Sequence, residues 1–181
     1  MLASLYLARC GTNPIIIERG SKIEIRKKEV DDFLQNKRLI PNSNVQFGEG
    51  GAGAFSDGKL VTNVKDPLIN FIINEFYLHG AKENILYEAK PHIGTDYLEI
   101  VVKNIRLEIE KLGGKFYFNT TFTSFDEENE LIVKTDNNLS FKTKSFTSFK
   151  IWLIILFSLI VILSIISIPV TANSLILWIG S

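Results

Sequence analysis

An acidic residue that directly follows a run of isoleucines is the first group in this sequence that could bind a ligand. Glu18 closes the segment PIIIE at residues 14–18. In dinucleotide-binding folds, a carboxylate at the end of the second strand accepts hydrogen bonds from ribose hydroxyls, about 20 residues beyond a glycine-rich phosphate loop. Counting back from Glu18 passes Met1, so spacing leaves this interpretation open beside the ordinary one, a charged residue that ends a strand.

A glycine-rich segment, GEGGAGAFSDGKL at residues 48–60, is the second candidate. Closely spaced glycines let backbone N–H groups approach an anion or a flat ring. Ser56 and Lys59 add donors, and Asp57 could accept a hydrogen bond. The spacing is not that of a GxxxxGK[ST] phosphate loop. A flexible linker is the alternative, although linkers seldom carry large apolar residues such as Phe47, Phe55 and Leu60.

Few other side chains could do chemistry. His92, in KPHIGTD at 90–96, could be an acid, a base or a phosphate contact, or an ordinary loop residue. With one cysteine and two histidines, the chain offers too few ligands for a Cys- or His-based metal centre. We therefore predict no metal site.

The elements that must position these groups follow from hydrophobic spacing. A helix is predicted over 2–10 with Gly11 at its end, and a strand over 14–18 that is buried on both faces, as in a parallel sheet. Helical spacing continues over 22–38 and 67–79, separated by a long loop at 41–63.

The second half of the polar region adds one helix and several strands. Residues 96–112 form an amphipathic pattern with Asp96 as its N-cap. The apolar stripe of this helix is Leu98, Val101, Val102, Ile105, Ile109 and Leu112. Alternation predicts one strand over 115–125, and two more at 131–135 and 140–144 joined by a polar turn.

Charge divides the chain into two regions. All 20 basic and 20 acidic residues lie within 1–150. This balance argues against a nucleic-acid partner bound through a basic field. Residues 151–168 hold 15 apolar residues and three serines, enough for a candidate transmembrane helix. Lysines precede this segment and no charge follows it, so the positive-inside rule predicts that 1–150 are cytoplasmic and membrane-anchored through the tail.

Three segments together resemble a known family. LYLARCGTNPIIIERG at 5–20, NSNVQFGEGGAGAFSDGKL at 42–60 and KPHIGTD at 90–96 are similar to bacterial-type FAD-dependent dehydrogenases. These uncharacterised NAD(P)/FAD-dependent oxidoreductases have an FAD domain of the glutathione-reductase type. The resemblance covers residues 2–145 and implies an α/β fold with a Rossmann-like FAD-binding domain.

The resemblance also implies a set of binding residues. Glu18 would contact the adenosine ribose beside Arg19, and the strand at 119–125 would pass the adenine, with Phe122 offering backbone contacts. The flavin and diphosphate region would be lined by Gly50, Gly51, Gly53, Ser56, Asp57, Gly58 and Lys59. FAD would be the cofactor, with NADH or NADPH as electron donor. A flavin accepts hydride at its own ring, so no catalytic side chain is assigned.

Departures from the family limit this expectation. Its opening strand and GxGxxG-type loop have no counterpart in these residues, so we expect an N- and C-terminally incomplete domain, inactive alone and weak in FAD retention. The missing strand would leave residues 15–17 without a neighbour on one side. SLILWIGS at 174–181 is similar to a later family strand, displaced by an insertion. We therefore predict a partial FAD domain over 1–145 and an apolar tail over 146–181.

Two functions remain open at this point. The glycine segment and PIIIERG favour a fragment of an FAD-dependent oxidoreductase. The apolar tail favours a single-pass membrane protein whose polar part is an interaction domain.

Overall fold

The glycine segment and Glu18 are carried by a mixed α/β body, seen in a computed structural model that describes residues 1–60, 66–127, 131–143 and 174–179. The helices are α1 (Leu2–Arg9), α2 (Ile23–Asn36), α3 (Leu68–Leu78) and α4 (Thr95–Lys111), with 3-10 turns at Ala52–Phe55 and Glu83–Leu86. The strands are β1 (Asn13–Glu18), β2 (Lys115–Tyr117), β3 (Phe122–Glu127), β4 (Leu131–Thr135), β5 (Ser140–Thr143) and β6 (Ser174–Ile179).

Strand β1 is the centre of a three-stranded mixed sheet of order β2-β1-β6. It runs parallel to β2, with Ile16 opposite Phe116, and antiparallel to β6, with Ile16 opposite Ile176. The expectation that 15–17 would lack a neighbour on one side is therefore wrong. The segment 174–179 lies there, so the backbone groups on both sides of β1 enter a ladder.

Both faces of β1 are buried, as the isoleucine run predicts. Ile16 packs into a core with α1 and α4, where Leu5, Val101 and Ile109 are fully buried. Ile15 and Ile17 point to the opposite face and pack against β4 and β5. Helices therefore cover one face of the sheet and a second sheet, of order β3-β4-β5, covers the other. Each buried isoleucine side chain contributes roughly 2 kcal/mol of hydrophobic free energy.

Helix α4 contributes more buried apolar residues to the core on the helical side than any other element. Five of its six predicted stripe residues are buried, but Leu112 is 39% exposed because the helix ends at Lys111 and the chain turns at Gly113 with φ +97°. The predicted N-cap is also wrong. Gly94 occupies that position with φ 80°, and Asp96 lies in the first turn.

The predicted strand at 115–125 is two strands in two different sheets. Residues 115–117 pair with β1, whereas residues 122–127 pair with β4. Between them, the Asn119 backbone has φ 51° and its N–H donates to the Gly20 carbonyl. This left-handed residue redirects the chain, which simple alternation of apolar residues could not reveal.

None of the helices within the described ranges combines the length and the apolar composition that a membrane span requires. The predicted transmembrane segment 151–168 lies outside those ranges.

Candidate functional site

The candidate site begins at the carboxyl end of β1, where Glu18 is 5% exposed. One carboxylate oxygen accepts a hydrogen bond from the Gly20 N–H at 3.0 Å. The Glu18 carbonyl accepts from the Thr120 N–H, also at 3.0 Å. Glu18 is thus fixed between the turn that follows β1 and the segment that follows β2. In open α/β sheets this end of the strands is where ligands bind.

The start of the glycine segment touches this strand end through a close approach of two backbones. A Cβ at Gly20 would lie 2.6 Å from the Gly48 Cα and 2.7 Å from the Asn42 carbonyl oxygen. The Glu49 N–H also donates to the Ser21 carbonyl at 3.0 Å. Glycine is required at position 20 because any side chain would separate the two segments.

Arg26, on α2, is a buried side chain that binds the backbone of this segment and of the residues just before it. Its guanidinium donates to five backbone carbonyl oxygens, those of Asn44, Val45, Gly48, Glu49 and Gly51, at 2.6 to 3.1 Å. We call these five oxygens the carbonyl cage. Arg26 is fully buried, and its guanidinium also lies 4.7 Å from the centre of the Phe55 ring. Burial lowers the pKa of Arg26 to about 10, so the side chain stays charged at neutral pH.

Glu49 ties the segment to two helices. Its carboxylate accepts from the Ile23 N–H in the first turn of α2 at 2.7 Å and from Arg106 Nε of α4 at 2.9 Å. Arg106 also donates to Glu24 at 2.6 Å. Burial raises the pKa of Glu49 to about 7, against the opposing effect of these donors. The carboxylate at a helix N-terminus is a favourable arrangement for its charged form.

Two glycines shape the exposed side of the segment. Gly50 and Gly51 have φ of 83° and 62°, conformations that side-chain-bearing residues rarely adopt. A Cβ at Gly50 would meet Ala54 at 2.9 Å and Val102 at 3.2 Å, whereas a Cβ at Gly51 would meet nothing within 4 Å. The backbone at Gly51 therefore borders open space that a ligand could fill.

The end of the glycine segment lies against a different part of the chain. The Leu60 N–H donates to the Pro91 carbonyl at 2.9 Å, and the Ile93 N–H donates to the Gly58 carbonyl at 3.0 Å. Lys59 pairs with Asp57 at 2.8 Å, with side chains 70% and 62% exposed. The structure thus groups Gly58 and Lys59 with the KPHIGTD segment and Gly50 and Gly51 with α2 and α4.

The structure also places three further predicted residues near these segments: Ser56, Arg19 and Phe122. Ser56 caps the 3-10 turn by donating to the Gly53 carbonyl at 2.8 Å. The Arg19 guanidinium lies 4.8 Å from the centre of the Phe47 ring. Phe122, 38% exposed, begins β3 two residues after Thr120, which bonds to Glu18.

Three charged residues at the site were not predicted from the sequence: Arg26, Glu49 and Arg106. Arg26 and Arg106 fall within helices that look amphipathic and exposed, so their charge argued for solvent. Of the three, only Glu49 could have been singled out from the sequence, because it is a charged residue placed directly between closely spaced glycines. In the described part of the chain, no group of three or more His, Cys, Asp or Glu side chains could hold a metal ion.

We compared the chain with family models and with known proteins. No family model matches the chain. An uncharacterized protein of Clostridium beijerinckii (strain ATCC 51743 / NCIMB 8052) is 48% identical over 143 residues, which is 77% of this chain. The matched region is 27% of the length of that protein, so the chain spans a minor part of it. This similarity therefore assigns no activity to the chain.

Proposed function

We propose that this chain is the flavin-nucleotide-binding part of an FAD-dependent oxidoreductase. One observation carries the proposal: at the carboxyl end of β1, the Glu18 carboxylate accepts from Gly20, and Gly20 packs directly against Gly48 of a glycine segment that borders open space at Gly51. The motifs at 5–20, 42–60 and 90–96 identify the nucleotide class as FAD by resemblance. Strands β1 and β2 are parallel neighbours, and helices α2, α3 and α4 connect them along the chain. Together they would belong to a Rossmann-like FAD domain.

The residues present fit such a ligand in chemical terms. Glu18 would accept hydrogen bonds from ribose hydroxyls, and its burial would strengthen them by excluding water. Gly51 would let the backbone approach the nucleotide without a Cβ between them. When bound, FAD supplies hydride acceptance at its own ring. NADH or NADPH is the expected electron donor, and this chain contributes binding and orientation.

A pair of glycine substitutions tests the proposal. Gly51 and Gly11 both have positive φ, and at both positions a Cβ would meet nothing within 4 Å. Both substitutions should strain the backbone, and Gly51→Ala should cost the more, about 1 to 3 kcal/mol, because φ 62° with ψ −166° is a conformation that residues other than glycine rarely adopt. Only the Cβ at position 51 would stand between the backbone and the proposed nucleotide, because Gly11 precedes the opposite end of β1.

The measurement is a titration of the purified full chain with FAD, followed by flavin fluorescence. We expect weak, saturable binding by the parent chain. Gly51→Ala should bind about tenfold more weakly than Gly11→Ala, equivalent to roughly 1.4 kcal/mol. Absence of saturable FAD binding by the parent chain, or equal affinities for the two variants, would contradict the proposal.

A further inference from the structure

The carbonyl cage fixes the direction of the neighbouring amide groups as well as the carbonyls. In a trans peptide the N–H points opposite to the carbonyl of the same peptide unit. No cis peptide occurs in the described residues. The Gly48 carbonyl faces Arg26, and the Glu49 N–H of the same unit points away and reaches the Ser21 carbonyl at 3.0 Å. The carbonyl and the N–H of this peptide unit therefore point in opposite directions, as the trans geometry requires.

The next two peptide units that face Arg26 follow the same geometry. The Glu49 and Gly51 carbonyl oxygens lie 2.6 and 2.9 Å from Arg26 Nη1. The N–H groups of Gly50 and Ala52 therefore point away from the guanidinium. These two donors belong to the residues on either side of Gly51, whose backbone borders open space, so this stretch offers N–H groups of the kind that bind a phosphate.

We propose that Arg26 is the positioning residue that shapes the 48–52 backbone into a binding loop for the diphosphate of the nucleotide. The inference rests on the function proposed above, since it names the part of the nucleotide that this backbone would contact. Arg26 would act through the loop: its own donors are used by the carbonyl cage, and it is fully buried.

The chemistry of the cage requires arginine. A guanidinium presents donors on three nitrogens in a fixed plane, and all three nitrogens of Arg26 are used. A lysine ammonium has three donors at one point, so it would leave carbonyls of the cage unsatisfied. A positive charge alone is therefore insufficient to satisfy the carbonyl cage. For this reason the replacement of Arg26 by lysine, which keeps the charge, is the informative variant.

The test compares ADP with adenosine, because they differ only in the diphosphate. Calorimetric titration of the full chain should give tighter binding of ADP than of adenosine. Arg26→Lys should reduce this ADP preference about tenfold, the value of one misplaced charge-assisted hydrogen bond. Adenosine affinity should change little. A general loss of structure would weaken both ligands together, so the ratio separates positioning from a merely structural role.

Two further variants complete the design. Lys27→Ala removes the neighbouring cation of α2, whose ammonium pairs with Glu99 at 2.8 Å, and should leave the ADP preference unchanged. If Arg26→Lys does not fold, Phe55→Leu removes the ring beside the guanidinium and should reduce the preference about threefold. An ADP preference that is unchanged in the folded Arg26 variant, or in Phe55→Leu when that variant alone folds, overturns the role of Arg26 and leaves the FAD proposal intact. Absence of binding of adenosine, ADP and FAD by the parent chain overturns both.

Discussion

The two halves of the glycine segment are held in different ways. The first half, 48–51, is fixed by buried charged side chains: Arg26 inside the carbonyl cage and Glu49 between α2 and α4. The second half, 56–60, is fixed by backbone hydrogen bonds to 91–93, and its charged pair of Asp57 and Lys59 lies in solvent. The two halves are therefore held by different kinds of interaction, one by buried charge and one by backbone hydrogen bonds.

This difference shows where charge contributes to the site. A buried ion costs several kcal/mol to desolvate, so it persists only where its hydrogen bonds are satisfied, as in the cage. Removal of one partner leaves the other uncompensated. An exposed ion pair is screened by water and contributes little. We therefore expect substitutions in the first half to have large effects and charge substitutions in the second half to have small ones.

The largest expected effect is at the contact that joins the first half to β1. Gly20→Ala would place a Cβ 2.6 Å from the Gly48 Cα and 2.8 Å from the Gly48 nitrogen, and backbone atoms cannot move aside cheaply. We expect a loss of about 3 kcal/mol in the free energy of unfolding. Urea denaturation checks this value. Gly11→Ala, which has a φ of 79° but no atom within 4 Å of the new Cβ, is the control, and an equal loss in both variants would refute the close-contact explanation.

The next effect is pH dependence from Glu49. Its pKa is raised by burial from the ordinary 4.5 to about 7, so the folded state binds the proton more tightly than the unfolded state. The stability that this proton binding contributes is complete below pH 4.5 and is lost as pH rises through 7. The parent chain should lose about 2 to 3 kcal/mol more than Glu49→Gln between pH 4.5 and 7.5.

Urea denaturation at the two pH values measures this difference. Glu24→Gln is the control, because Glu24 also bonds to Arg106 but its pKa is lowered, with its backbone N–H and Arg106 outweighing burial. Its stabilising contribution is lost only as pH falls below the ordinary value of 4.5. The Glu24 variant should therefore keep most of the parental slope, reduced slightly because the Glu24 charge contributes to raising the pKa of Glu49. A parental slope in Glu49→Gln would contradict the assignment.

The smallest effect is expected from the exposed pair of the second half. Replacing Asp57 by Asn or Lys59 by Ala removes an ion pair whose side chains are 62% and 70% exposed. Because water and salt screen this pair, neither variant should shift the urea midpoint measurably. A clear destabilisation by either substitution would show that charge also holds the second half.

The sequence predicted the elements better than the tertiary contacts. Helix α4 and the isoleucine strand were predicted because their apolar periodicity reports burial directly. The split of 115–125 was missed because it depends on the backbone conformation of Asn119. Arg26 was missed because its partners are backbone carbonyls, which have no residue identity in the sequence. The role of Glu18 and the glycines as a nucleotide site stays a prediction.

The most direct test of the central claim is hydrogen–deuterium exchange of the full chain with and without FAD. If the end of β1 and the first half of the glycine segment form one nucleotide site, FAD should slow amide exchange in peptides covering 18–21 and 48–52. Peptides covering β4 and β5 should be unchanged. Protection confined to other segments, or none at saturating FAD, would contradict the account.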